Sequence, residues 1–145
     1  MTAALVGCAD TSVRLTPPSP DAEQVRACTA LARELPATVA DQARRPTDPA
    51  SALTAAWGDP AITVTCGAPQ PDRPLDAQLL SVDGITWYPE PLTNGTRFTT
   101  EGRVAAVRLD VPRQYRPEVA APTDLADAIG RTIPTQRREV ADDGR

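Results

Sequence analysis

Three turn signals crowd together between positions 83 and 102 of this chain: Asp83-Gly84, Asn94-Gly95 and Glu101-Gly102. Asp-Gly and Asn-Gly are the favoured pairs in two-residue hairpin loops, where both central residues take positive φ. The stretches that they separate are short and carry apolar or β-branched side chains: residues 79–82, 85–88, 88–92, 96–100 and 104–111. Short runs joined by tight turns pair with their sequence neighbours, so the spacing predicts an antiparallel sheet. In the last run Val107, Leu109 and Val111 point one way, and Arg108 and Asp110 the other. Pro89 and Pro91 mark their run as a sheet edge or a break, because proline cannot donate to a strand ladder.

Upstream, Ala61-Ile62-Thr63-Val64-Thr65-Cys66 alternates apolar with Thr and reads as a half-buried strand with Ile62, Val64 and Cys66 inward. A helix precedes it. Ser19 is placed to cap it and Pro20 suits its first position, while Asp21 and Glu23 sit at the positive end of the dipole. Val25, Cys28, Leu31, Ala32 and Leu35 then share one face, and Pro36 stops the helix. Cys28 and Cys66 thus face the same interior by two independent periodicities. A disulfide between them would close 66 − 28 = 38 residues, a loop for which chain-entropy arithmetic gives about 4 kcal/mol. The alternative is two reduced, buried thiols acting as small hydrophobes. Thr123-Asp124 caps a second helix with Leu125, Ala128 and Ile129 on one side, ended by Pro134.

The fold expected is therefore α+β: an antiparallel β-sheet of hairpin-connected strands, an N-terminal helix disulfide-tied to the sheet, and a short C-terminal helix. At 145 residues the chain suits one domain. That domain is expected over residues 20–134, with a disordered polar tail over 135–145.

Composition excludes much chemistry. There is no histidine, which removes Ser-His-Asp and Cys-His nucleophile systems and His-based metal sites. All 15 basic residues are arginine, so a P-loop and Schiff-base chemistry are also gone. The net charge of −4 offers no basic field to a nucleic acid backbone. Neither a metal nor another cofactor is expected. No stretch approaches the roughly 20 apolar residues of a membrane-spanning helix.

Leu5-Val6-Gly7-Cys8 resembles the lipobox at which bacterial signal peptidases cut lipoprotein precursors. In that reading residues 1–7 are the end of an export signal, shorter than a full one and without its basic n-region. Cys8 becomes the lipidated first residue of the mature protein. The polar, proline-rich residues 8–19 are then an extended tether. Export also places Cys28 and Cys66 in an oxidising compartment, where disulfides persist. The location implied is the outer face of the cytoplasmic membrane, with the lipid anchor as the membrane contact.

A wider resemblance rests on Cys28-x2-Leu31 with Leu35-Pro36, on Arg44-Arg45 followed by Pro49, and on Ala55-Ala56-Trp57-Gly58-Asp59-Pro60-Ala61-Ile62 leading to Cys66-Gly67. Val82-Asp83-Gly84-Ile85-x-Trp87 and Phe98-Thr99-Thr100-x-Gly102-Arg103 continue it. Over residues 20–129 the chain resembles the actinobacterial domain-of-unknown-function family 3515, whose members are exported proteins and often lipoproteins. The resemblance implies a location and a fold. It brings no activity and no catalytic residues.

Contact with a ligand or partner has three candidates. Trp57 and Asp59 lie in the Trp-Gly-Asp-Pro cluster, where a ligand-facing loop competes with a structural turn and a buried indole. Tyr88 sits beside Trp87 on a strand, so one ring faces the core and the other solvent. Arg44-Arg45 suits lipid phosphates or anionic envelope polymers, or simply a solvated loop. Asp59, Glu101 and Asp110 are the carboxylates placed for acid/base work without histidine. The expectation is an envelope lipoprotein without catalytic activity that binds a protein partner. The alternatives are a small-ligand or lipid-binding module and a carboxylate-based wall hydrolase.

Overall fold

The computed structural model describes residues 11–137. Cys8, residues 1–7, expected to be the end of an export signal, and the tail beyond Arg137 lie outside the described residues. The chain runs β1 (Val13–Arg14), α1 (Ala22–Glu34), β2 (Thr38–Val39), β3 (Gln42–Arg45), β4 (Thr47–Asp48), β5 (Thr54–Trp57), β6 (Ile62–Cys66), β7 (Leu80–Val82), β8 (Ile85–Leu92), β9 (Gly95–Thr100), β10 (Val107–Pro112) and α2 (Ala120–Thr132). Eight strands form one antiparallel sheet in the order β2-β3-β5-β6-β10-β9-β8-β7. Two meanders, β2-β3-β5-β6 and β7-β8-β9-β10, meet side by side where β6 pairs β10. A separate parallel pair joins β1 to β4.

Register aligns the apolar residues in cross-strand rows. Ala55, Val64, Leu109, Phe98 and Pro89 are successive partners, and Cys66, Val107, Thr100 and Trp87 share that face in the next row. Both helices cover this inner face. Cys28 on α1 bonds Cys66 on β6, with α-carbons 5.6 Å apart, inside the usual disulfide range. Ala121, Leu125, Ala128 and Ile129 of α2 are buried in the same core. The helices also touch each other, and Arg131 of α2 reaches Glu34 of α1 at 3.3 Å.

The α+β architecture and the disulfide are as expected, while several boundaries differ for identifiable reasons. The N-cap of α1 is Asp21, not Ser19: its carboxylate accepts from the Gln24 amide at 2.9 Å, and the Gln24 side chain accepts from the Asp21 amide, completing a capping box. Val25 is 38% exposed, because the buried stripe is centred on Ala27, Cys28 and Leu31. Helix α2 begins at Ala120 behind a Val119 N-cap with no side-chain bond, and has 13 residues, as many as α1. Thr123 lies within it, its hydroxyl donating to the Val119 carbonyl, while Asp124 accepts from the Ala40 amide at 2.8 Å. Both residues that suggested a helix start are thus used elsewhere.

Of the three turns, Asp83-Gly84 is the hairpin that its sequence predicts, with φ of 48° and 84°. Gly95 opens β9 opposite Leu92, and a Cβ there would lie 2.1 Å from the Val111 carbonyl oxygen. That glycine lets β10 approach rather than shaping the loop. After Glu101-Gly102 the chain takes an irregular connection, and β10 starts at Val107 instead of position 104. Strand β8 runs unbroken through both prolines. Its pairing with β7 stops at Trp87, so Pro89 and Pro91 do lie on a local sheet edge.

The stretch read as a tether lies on the domain from β1 onward. The Val13 amide donates to the Pro46 carbonyl at 2.8 Å and the Leu15 amide to the Asp48 carbonyl at 3.2 Å. At the other end of the chain, Thr135 bridges Arg103 and the Gln136 amide donates to the Gly102 carbonyl.

Candidate functional site

The outer face of the sheet is polar, and neither of the two described helices lies on it. One of its cross-strand rows reads Thr63, Asp110, Arg97, Glu90; the neighbouring row reads Thr54, Thr65, Arg108, Thr99, Tyr88. The N-terminal segment covers this face at one side only. Strand β4 lies over β5, where the Thr54 and Thr47 hydroxyls meet at 3.4 Å. The proline-rich residues 16–20 then pass over the end of β6 as a strap before the chain turns into α1.

Charges on this face are mostly neutralised locally. Arg97 grips Asp110 through two bonds of 2.8 and 2.9 Å. The hydrogen bond to Asp110 raises the Arg97 pKa above its ordinary value, and the nearby charge of Glu90 adds to the effect. Arg73 holds Glu101 at 3.0 Å. Arg45 donates to the carbonyls of Thr11 and Gly58 at 3.1 and 2.7 Å. Arg108 is the exception: it is half-buried on the central strand β10, and among the described residues it makes no hydrogen bond and no ion pair.

The residues singled out from sequence do not form one site. Trp57 is fully buried, donates its Nε1–H to the Pro36 carbonyl at 3.1 Å, and has the Arg44 guanidinium 5.1 Å from its ring centre. It offers no free stacking surface, because its strand is buried on both faces. Asp59 is exposed in the β5–β6 turn. Tyr115 is close enough to feel its charge, and burial together with Asp59 raises the Tyr115 pKa. The Tyr115 hydroxyl donates to the Pro60 carbonyl at 2.6 Å. Tyr88 is half-buried on the outer face, in the row that contains Arg108. Glu101 and Asp110 are held in two separate ion pairs. Cys8 lies outside the described residues.

Sequence reasoning missed a cleft of about 520 Å³ under the strap. Thr65, Gly67 and Arg108 form its floor, prolines 17, 18, 20 and 69 contribute to its walls, and Gln70 stands at one side. Arg108 was legible only as the polar partner of Leu109. The signal that separates it from Arg97 is the residue across from it: threonine on both neighbouring strands, where Arg97 has an aspartate.

No group of three or more metal-ligating carboxylates or thiols occurs among the described residues. None of the described helices is long and apolar enough to cross a membrane.

Fold and site together define a disulfide-stapled α+β domain, helix-covered on one sheet face and carrying a strapped cleft on the other. The chain belongs to the family described as protein of unknown function (DUF3515), which matches residues 2–138. No curated protein and no solved structure matches it significantly.

Proposed function

We propose that this chain is an exported lipoprotein of the bacterial cell envelope, held at the outer face of the cytoplasmic membrane by a lipid on Cys8, which acts by binding a protein partner rather than by catalysis. The observation that carries the export reading is the Cys28–Cys66 disulfide buried between α1 and β6. Such bonds persist in oxidising compartments and are rare in the cytosol. The Leu5-Val6-Gly7-Cys8 sequence supplies the matching processing site.

The strap adds a geometric consequence. With the Thr11 carbonyl held by Arg45 and the Val13 amide by Pro46, only residues 9 and 10 separate Cys8 from the first contact with the folded body. The three residue steps from Cys8 to Thr11 reach at most about 11 Å, so the domain rides close to the lipid headgroups rather than on a long spacer. The non-catalytic reading draws support from the carboxylates. Asp110 and Glu101 are each committed to an arginine, and Asp59 lies in an exposed turn. None of the three sits desolvated and unpaired, as a carboxylate base working near neutral pH would need to be.

The test is expression with an intact upstream signal, followed by mass spectrometry of the mature N-terminus and detergent-phase partition. Wild type should carry a diacylglycerol on Cys8 and enter the detergent phase, since two acyl chains anchor stably. Cys8→Ala should lose both properties. Equal partition of the two proteins, with no lipid adduct, overturns the reading.

A further inference from the structure

We infer that the cleft beneath the 16–20 strap binds a small carboxylate ligand with an apolar body and an adjacent N–H, such as an N-acyl amino acid, and that Arg108 is its anion anchor. The inference goes beyond the membrane anchor and does not depend on it.

Three observations point to such a ligand. First, Arg108 is a half-buried guanidinium with no counter-ion among the described residues, on a sheet face where Arg97 and Arg73 each have a carboxylate and Arg45 has two carbonyls. A half-buried guanidinium fork without a partner is suited to a bidentate carboxylate. Second, Thr65 is more than nine-tenths buried, lines the cleft, and its hydroxyl makes no hydrogen bond among the described residues. It is the cross-strand partner of Arg108, so both donors serve one anion. Third, the cleft is preformed. The Pro20 ring lies where a Cβ on Gly67 would be, 2.7 Å away. The strap is also pinned upstream through Val13 and Leu15. Proline rings have no freedom left to lose, which lowers the cost of ordering a ligand between them.

The rest of the lining narrows the class. Gln70 commits its amide nitrogen to the Thr100 carbonyl and Glu101, which leaves its Oε1 as an acceptor for a ligand N–H. Asp21 also lines the cleft, and its negative charge opposes a doubly charged phosphate more than a singly charged carboxylate. A volume of about 520 Å³ lies within the range of small-molecule sites.

The experiment is an amide-detected NMR titration of the full chain with N-acetylleucine, its uncharged amide N-acetylleucinamide, and inorganic phosphate. Saturable shifts centred on Thr65, Gly67 and Gln70 are expected with the acid. Binding of the amide should be weaker by about tenfold or more, the size of one lost charge-assisted hydrogen bond. Arg108→Gln should weaken the acid by the same factor with its spectral dispersion intact. Thr65→Val should weaken it less, and the exposed-site control Arg113→Gln not at all. Any of four results overturns the proposal: no saturable shifts at these residues, equal binding of acid and amide, tighter binding of phosphate than of the acid, or an Arg108→Gln protein that binds like wild type.

Discussion

On β10, Val107, Leu109 and Val111 are buried beneath the two helices, while Arg108 and Asp110 lie half-buried on the opposite side of the same strand. The inner face is continuous: rows of aliphatic and aromatic side chains run from β5 to β8 and bury against α1 and α2. The outer face is a set of local solutions, with one ion pair here, a carbonyl cradle there, and a strap at one side. Burial makes the inner positions interdependent, since a change in volume at one is felt by its neighbours. On the outer face Thr54, Thr65 and Thr99 are themselves buried, whereas half-buried Arg108 has no fixed partner among the described residues and so can carry recognition with little effect on the fold.

The largest test of that division is the disulfide, the covalent link between the inner face and α1. Cys66→Ala, or reduction, should lower stability by about 4 kcal/mol on the loop-entropy account. Urea unfolding of oxidised and reduced protein measures the difference. A loss of well under 1 kcal/mol would mean that α1 holds the inner face through Ala27 and Leu31 alone, and the covalent link would cease to distinguish the faces.

What could be read in the chain follows the same division. Positions 79–111 carried their signals in period-two alternation and turn pairs, because one face of those strands meets helices and the other meets water. Cys28 and Cys66 were each readable for the same reason. Strand β5 was not: Thr54-Ala55-Ala56-Trp57 is buried on both faces, so it shows no alternation. Strands β1, β2 and β4 have two residues each, too few for any period, and their pairing is decided by distant partners. The start of α2 was misplaced because Thr123 and Asp124 resemble a cap, while the real N-cap, Val119, has no capping side chain. The cleft was invisible for a related reason. Its floor and its roof are more than 40 positions apart in the chain, and what marks Arg108 is the absence of a partner on β6 or β9, which only the register reveals.

Adjacent positions on one strand sharpen the contrast next. Leu109→Ala should cost about 2–5 kcal/mol, the range for truncating a fully buried aliphatic side chain. Arg108→Ala, one residue away, should stay within about 0.5 kcal/mol, as expected where no fixed contact is lost. Thermal and urea unfolding of both variants compares them directly. Comparable losses at the two positions would show that the outer face is part of the packed core and would remove the basis for treating it as a separate surface.

The smallest effect lies in the outer face's best-formed contact. The Arg97–Asp110 pair is bidentate, yet both side chains are about a third exposed, at 33% and 29%. Solvent screens such a pair, and double-mutant cycles on exposed ion pairs return about 0.2–1 kcal/mol. The cycle of Arg97→Gln, Asp110→Asn and the double variant should give a coupling in that range, shrinking as salt is raised, because accessible charges are screened over about 10 Å at 0.1 M ionic strength. The neighbours limit its size further: Glu90 remains in the row to hold Arg97 when Asp110 is neutralised. A coupling of several kcal/mol that persists in high salt would mean that the pair behaves as buried. The two faces would then differ in chemistry but not in the weight that each bears in the fold.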